Sequence, residues 1–319
     1  MFCTFHPRRL VLGLAAAAAL TVSMAACGSE SGGGTGTGSA GGSAPSASAD
    51  AALAAKVPSQ IKSAGKLVIG TDSTYAPSEF LDTDGKTVIG FDVDLFNAVA
   101  GKLGLTTQWQ SATFDSIIPG VGTGKYNVGV SSFTINPQRL KQVNMVSYFS
   151  AGTQWAAKTG ATIDPGNACG KKVAVQTGTV QVDDLTSRSK KCTDAGKPKI
   201  TIEQYQKQSD ATNAVVTGKD DAMLADSPVC AYAVKQTNGQ LALVGQIYDS
   251  APYGYVIAKN QADFADAIKQ AVQALITDGT YKTILTKWGV EAGAITTPEV
   301  NPKARSGHDR PDPIRAGTA

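Results

Sequence analysis

Histidine is nearly absent from this chain, and cysteine is scarce. The two histidines, His6 and His308, lie near opposite ends, so the long central part has no imidazole. The five cysteines contain no CxxC pattern. Because zinc sites use closely spaced Cys and His ligands, this composition argues against a metal site. The glycine-rich segment 120–124 lacks the Lys and Ser/Thr of a phosphate-binding loop, so we expect no cofactor either.

The chain also has a small net charge and few long apolar runs. The net charge is +3 and there is no long basic run, so nothing favours a nucleic acid as partner. One apolar run, residues 10–22, follows Arg8 and Arg9 and is too short to span a bilayer stably. This pattern predicts a signal peptide over residues 1–26. With no second apolar run, the chain is not expected to be a permease.

A cysteine closes the predicted signal peptide. The sequence Met24-Ala25-Ala26-Cys27 resembles a bacterial lipobox, in which Cys27 becomes the first mature residue and carries lipid. An ordinary secretory signal with a chance cysteine stays open as the alternative. Gly, Ser, Thr and Ala dominate the residues that follow, which predicts a flexible tether over residues 27–56. We therefore expect an extracytoplasmic protein, held by lipid at the outer face of the cell membrane.

The remaining cysteines fit an exported protein. Cys169 and Cys192 are 23 positions apart and flank a predicted strand, loop and helix. Outside the cytoplasm they can form a disulfide bond. Cys230 lies in an apolar helical stretch, which predicts a buried free thiol.

Strand patterns alternate with helix patterns along the central part of the chain. This order predicts an α/β fold with mainly parallel sheets covered on both faces. The predicted strands include segments 152–158, 241–247 and 253–258. Polar or glycine-containing loops follow four other strands, at Asp72, Ser131, Gly178 and Asp226. Ligands bind at the carboxyl ends of such strands, so these loops are the candidate site.

Two of these loops carry extended motifs. They are Gly70–Pro77, with the sequence GTDSTYAP, and Ser131–Arg139, with the sequence SSFTINPQR. Both resemble the ligand-binding segments of family 3 extracellular solute-binding proteins, which serve polar amino-acid ABC importers. The resemblance runs from about Leu67 to Trp288. It implies a two-lobed periplasmic-binding-protein fold with two hinge crossings, near Ala151-Gly152 and Ser250–Pro252.

The resemblance also divides the chain. Residues 57–151 and 252–297 are expected to form lobe 1, and residues 152–251 lobe 2. Residues 298–319, rich in proline and mixed charge, are predicted to be a disordered tail.

An enclosed amino acid needs partners for both of its charges. The Arg139 guanidinium matches a carboxylate, and Asp226 can neutralise an ammonium. Two alternatives stay open: Arg139 could pair with a surface carboxylate, and Asp226 could only cap the helix at 227–236. The other binding residues that the resemblance implies are Asp72, Tyr75, Glu79, Phe114, Ser131, Ser132, Phe133, Thr134, Gly178 and Thr179.

The resemblance implies that a monomer captures a polar amino acid and delivers it to an ABC permease. Asp72 and Glu79 favour a cationic side chain, although a glutamine-like ligand stays open. The protein is not expected to be an enzyme. The alternatives are an extracytoplasmic dehydratase of the same fold and a ligand-sensing partner of a membrane kinase.

Overall fold

The structure is a computed structural model that describes residues 48–303. The predicted signal peptide, the proposed lipid site Cys27, most of the predicted tether and residues 304–319 lie outside the described residues. Within residues 48–303, no helix is long and apolar enough to cross a membrane.

Helices and strands alternate through the described part of the chain. The α-helices are α1 (Ala51–Ala55), α2 (Ser59–Ala64), α3 (Phe91–Lys102), α4 (Phe114–Gly122), α5 (Pro137–Gln142), α6 (Val180–Asp194), α7 (Gln208–Thr217), α8 (Ser227–Gln236), α9 (Ala262–Thr277) and α10 (Thr280–Trp288). The strands are β1 (Lys66–Thr71), β2 (Thr74–Tyr75), β3 (Glu79–Leu81), β4 (Val88–Ile89), β5 (Thr106–Ser111), β6 (Val128–Gly129), β7 (Val143–Lys158), β8 (Lys172–Gln176), β9 (Thr201–Tyr205), β10 (Ala222–Asp226) and β11 (Leu241–Ala258).

The main sheet has eight strands in the order β5-β1-β6-β11-β7-β10-β8-β9. Strands β5, β1 and β6 are parallel at one end, and β10, β8 and β9 are parallel at the other. Between them β7 and β11 form a long antiparallel pair that passes from one half to the other. The two halves are the two lobes, and the predicted two-lobed α/β fold is confirmed.

Each lobe has its own apolar core on the sheet. In the first lobe, α9 buries Phe264, Ile268 and Val272, whose spacing of about one helical turn places them on one face. In the second lobe, Trp155 of β7 is fully buried and packs in a cluster with Leu185 of α6. Rigid cores on both sides therefore hold the strand ends that carry the loops.

The strands that cross between the lobes are longer than the sequence predicts. β7 begins at Val143 rather than at residue 152, and β11 runs without a break through the two predicted segments 241–247 and 253–258. Ala151 pairs with Ala251 midway along the crossing. Every residue from 143 to 149 is buried, because this stretch is covered on both faces. It therefore lacks the alternating pattern that identifies a strand in sequence.

Both predicted outer boundaries need correction. The predicted tether ends early, because the Asp50 side chain caps α1 and Leu53 is buried against the first lobe. Ordered chain continues past residue 298, where the tail was predicted to begin. The Glu299 carbonyl accepts a hydrogen bond from Ser147 N at 2.9 Å. Asn301 N likewise donates to the Met145 carbonyl at 2.7 Å. These hydrogen bonds join backbone groups, so the side-chain composition of this segment gives little indication that it is ordered.

A disulfide bond joins Cys169, just before β8, to Cys192 in α6, whereas Cys230 is a buried free thiol. The double variant Cys169→Ser/Cys192→Ser is expected to lose about 3 kcal/mol of unfolding free energy, since the bond closes a loop in the unfolded chain. Urea unfolding measures this loss. Reductant should reproduce it in the wild type and leave the double variant unaffected. A urea midpoint of the wild type that does not change when reductant is added would contradict the expectation.

Candidate functional site

A small cavity lies where the loops of the two lobes meet. Its free volume is about 10 Å³, room for about one water molecule, so the lobes must move apart to admit a ligand. The lining residues come from both lobes and are Tyr75, Phe114, Ser132, Thr134, Arg139, Thr179, Val180, Gln181 and Asp226.

Arg139 is the cation of this cavity. It lies in α5, which begins at Pro137 and is capped by the Asn136 side chain, an acceptor from Arg139 N at 2.8 Å. The guanidinium donates from Nη1 to the Thr134 carbonyl at 2.7 Å, and from Nη2 to the Gly178 carbonyl of the other lobe at 3.2 Å. Burial lowers the pKa of Arg139 to about 10, so it stays charged at neutral pH.

Two aromatic rings support the guanidinium. Its central carbon is 5.4 Å from the ring centroids of both Phe114 and Phe133, and these two rings stack on each other. No ion pair among the described residues includes Arg139. The surface-carboxylate alternative for this residue is therefore wrong.

Asp226 is the carboxylate of the cavity and ends β10 in the other lobe. Its Oδ2 accepts from the Tyr75 hydroxyl at 3.0 Å and the Tyr253 hydroxyl at 2.7 Å. Its Oδ1 accepts from Gln181 Nε2 at 2.8 Å. Although Asp226 stands at the N-cap of α8, its side chain makes no capping hydrogen bond. Burial raises the pKa of Asp226, and the donors and Arg139 oppose that rise.

The Ser131–Ser132 loop follows β6 and reaches the cavity through Ser132. Ser131 Oγ accepts from Asp72 N at 3.0 Å and donates to Glu79 Oε1 at 3.1 Å. Ser132 has a φ of 50°, a left-handed conformation that is uncommon for residues other than glycine. Its N–H and Oγ both donate to Asp92 Oδ2, at 3.1 and 3.3 Å.

Asp72 lies behind the cavity and links the lobes. Its Oδ1 accepts from Thr74 N and Oγ1, and its Oδ2 accepts from Gln176 Nε2 at 2.9 Å. The backbone of Phe114, which lines the cavity, helps to stabilise the charged form of this carboxyl group. Burial raises the pKa of Asp72. Its negative charge therefore lies close to the aromatic wall.

Gly178 and Thr179 bring the second lobe to the cavity at the start of α6. Gly178 has a φ of 79°, and a Cβ there would come 3.0 Å from Asp115 Cβ, so the tight approach of the lobes requires glycine. Thr179 Oγ1 donates to the Gln176 carbonyl at 2.8 Å, which fixes the loop.

Several predicted binding residues lie near the cavity without lining it. Some residues that do line it were not among those predicted. Glu79 is fully buried behind the Ser131–Ser132 loop and does not line the cavity. Val180 and Gln181 line it, and Tyr253 supports Asp226. Gln181 lies two residues after Thr179, in the first turn of α6. This position beside the predicted loop could have indicated that it lines the cavity.

Residues 67–291 match the model of the bacterial extracellular solute-binding proteins, family 3. This chain belongs to that family. The resemblance noted in the sequence is thus confirmed. In residues 48–303 there is no group of three or more His, Cys, Asp or Glu side chains arranged to hold a metal ion.

Known proteins are similar to this chain over most of its described length. Arginine-binding protein ArgT of Corynebacterium glutamicum is 38% identical over 252 residues, which are 78% of this chain and 82% of that protein. A solved structure of an ancestral arginine-binding protein bound to arginine is 33% identical, with a TM-score of 0.66. It covers 70% of this chain, and the match takes in 98% of that chain.

A third similar structure is AncCDT-1, an ancestral amino acid-binding protein described as a precursor of cyclohexadienyl dehydratase. It is 33% identical with a TM-score of 0.63, and the match covers 72% of this chain and 97% of that one. All three of these relatives are amino-acid-binding proteins.

Proposed function

We propose that this protein captures arginine, or a closely related cationic amino acid, between its two lobes and delivers it to an ABC permease. The observation that carries the proposal is the meeting of buried Arg139 and buried Asp226, from different lobes, at one small cavity. We further propose that it works as an extracytoplasmic monomer, anchored by lipid on Cys27.

The two charges suit the constant part of an amino acid. The guanidinium of Arg139 donates to two backbone carbonyls, and its other N–H groups can receive the ligand carboxylate in forked geometry. A carboxylate can accept about four hydrogen bonds, so Asp226 with three donors keeps a position for the ligand ammonium. Ser132, Thr134 and Thr179 supply further polar groups at the cavity wall.

The surrounding charge favours a cationic side chain on the ligand. Arg139 is the one buried lysine or arginine of the described residues, whereas the buried carboxyl groups of Asp72, Asp92 and Asp226 lie in and behind the cavity. The faces of Tyr75 and Phe114 can hold a guanidinium by cation–π attraction. A glutamate side chain would be repelled by these carboxylates, so we expect glutamate to bind most weakly among the amino acids considered. The arginine-binding relatives support the same choice.

The other proposed binding residues act from behind the cavity wall. Ser131 and Glu79 fix the loop that carries Ser132, and Phe133 supports the guanidinium of Arg139. Gly178 allows the second lobe to approach. The dehydratase and sensor alternatives are tested separately, by product formation from prephenate or arogenate and by co-purification with a membrane kinase.

L-Arginine is expected to raise the melting temperature of the exported chain by roughly 8–16 °C at a thousandfold excess over Kd. Binding only the folded form stabilises it by about 4 kcal/mol at that excess, and each kcal/mol shifts the melting temperature by about 2–4 °C. A thermal-shift screen of the twenty amino acids with ornithine and citrulline measures it.

Citrulline is the matched ligand control, because it has nearly the shape of arginine without the side-chain charge. We expect a clearly smaller shift with citrulline and no shift with glutamate. An equal shift with citrulline or glutamine would replace the cationic assignment with a neutral polar one. No shift with any of the twenty-two compounds would overturn amino-acid binding.

A further inference from the structure

Two carboxyl groups, those of Glu79 in β3 and Asp92 in α3, are buried together behind the Ser131–Ser132 loop. Both side chains have no measurable exposure to solvent. Each keeps one buried oxygen, Glu79 Oε2 and Asp92 Oδ1, that no hydrogen bond between the described residues satisfies. Neither group takes part in an ion pair between those residues. Two ionised carboxylates buried behind one loop repel each other, whereas one proton held between these two oxygens would satisfy both.

The remaining contacts indicate which group carries the proton. Asp92 Oδ2 accepts from Ser132 N, Ser132 Oγ and the Tyr148 hydroxyl, and such donors stabilise a charged carboxylate. Glu79 accepts only one hydrogen bond, from Ser131 Oγ. This leaves Glu79 Oε2 and Asp92 Oδ1, the two oxygens without a hydrogen bond between the described residues, as the place for the shared proton. Glu79 is therefore the acid, and Asp92 is the carboxylate that accepts its proton.

We propose that Glu79 and Asp92 share one proton and act as positioning residues, holding the Ser131–Ser132 loop in the form that it presents to the ligand. Ser131 is fixed by Glu79, and Ser132 is fixed in its left-handed conformation by Asp92. This inference deepens the proposed function and rests on it for the identity of the ligand. It assigns Glu79 a place behind the binding loop rather than a contact with the ligand.

The groups that face the pair explain why the proton stays. Asp72 approaches from the end of β1 and adds negative charge, and four tyrosines of β7, β11 and α10 lie near the pair, of which Tyr148 donates to Asp92. These tyrosines are Tyr148, Tyr253, Tyr255 and Tyr281. Burial, and then the charge of Asp92, raise the pKa of Glu79 well above its usual range. Burial raises the pKa of Asp92 to about 6, against the effect of its donors.

The shared proton makes stability depend on pH in a known direction. Above about pH 4.3 the unfolded chain releases the Glu79 proton, while the folded chain keeps it. The folded state then binds more protons, so its stability falls as pH rises, until the pair itself is deprotonated. Glu79→Gln offers an amide that donates to Asp92 and accepts from Ser131 without titrating. It is the conservative variant for this test.

The first experiment needs no ligand. Urea unfolding from pH 5.5 to 9 should show the wild-type unfolding constant rising, relative to Glu79→Gln, by up to about tenfold per pH unit. Infrared spectra at pH 7 should contain a protonated carboxyl band that Glu79→Gln lacks. The control Glu291→Gln makes the same change at an exposed site and should match the wild type in both readouts. Equal slopes and equal spectra for the wild type and Glu79→Gln would overturn the shared proton.

The second experiment tests positioning. Glu79→Met keeps the volume but removes the donor to Asp92 and the acceptor for Ser131. It should exchange the Ser132 amide hydrogen faster and bind L-arginine about tenfold more weakly than Glu79→Gln. Equal exchange at Ser132 in the two variants would overturn the positioning role. If the wild type failed to bind arginine, the proposed function would fall, while the unfolding slope, the infrared band and the Ser132 exchange would still decide this inference.

Discussion

Arg139→Gln is expected to weaken arginine binding by about 2–5 kcal/mol, a loss of thirtyfold or more. The substitution removes the one buried cation of the described residues and leaves the ligand carboxylate enclosed without a charged partner. Gln keeps a polar end near the Thr134 and Gly178 carbonyls, so the fold should survive. Isothermal titration calorimetry with L-arginine measures the loss.

Arg188→Gln is the matched control for that variant. Arg188 is also partly buried and donates to Asp184 and to the Pro165 carbonyl, but it does not line the cavity. It should bind arginine as the wild type does, whatever it loses in stability. Near-native affinity in Arg139→Gln, with its circular dichroism unchanged, would remove Arg139 from the site.

Asp226→Asn is expected to cost about 3–5 kcal/mol of affinity, because the ligand ammonium would be buried without a counter-charge. The amide keeps the volume and can still accept from the Tyr75 and Tyr253 hydroxyls. The pH profile gives a second readout. Since burial raises the pKa of Asp226, wild-type affinity should fall as pH drops through that raised value and the carboxylate becomes neutral. The variant should lack this acid limb.

Asp220→Asn provides the control within the same lobe. Asp220 is also buried and accepts from a tyrosine, Tyr205, at 2.7 Å, but it is not part of the cavity wall. Its affinity for arginine and its acid limb should match those of the wild type. An Asp226→Asn variant that binds like Asp220→Asn would show that the ammonium has another partner.

Local patterns were sufficient to predict the loops that build the site. Asp72, Ser131 and Gly178 follow strands and Asp226 ends one, and the topology brings those strand ends together. Arg139 follows from the helix start at Pro137, which places it one turn from the loop. Each position is indicated by its near neighbours in sequence, and a parallel sheet then places the strand ends close together.

What the sequence could not supply depends on contacts across long stretches of chain and on side-chain direction. Tyr253 reaches Asp226 only because β11 runs unbroken through both lobes. Glu79 lies beside Tyr75 in the β2–β3 hairpin, yet its side chain points into the interior toward Asp92 rather than into the cavity. Its hydrogen-bond partner Ser131 is 52 positions away along the chain, so no local pattern shows where this carboxyl group lies.

The position of arginine inside the protein tests the central claim most directly. A crystal structure grown with L-arginine should place its carboxylate on Arg139, its ammonium on Asp226, and its guanidinium beside the rings of Tyr75 and Phe114. Arginine bound outside this cavity, or held there with its carboxylate away from Arg139, would contradict the account. So would an empty cavity at saturating arginine.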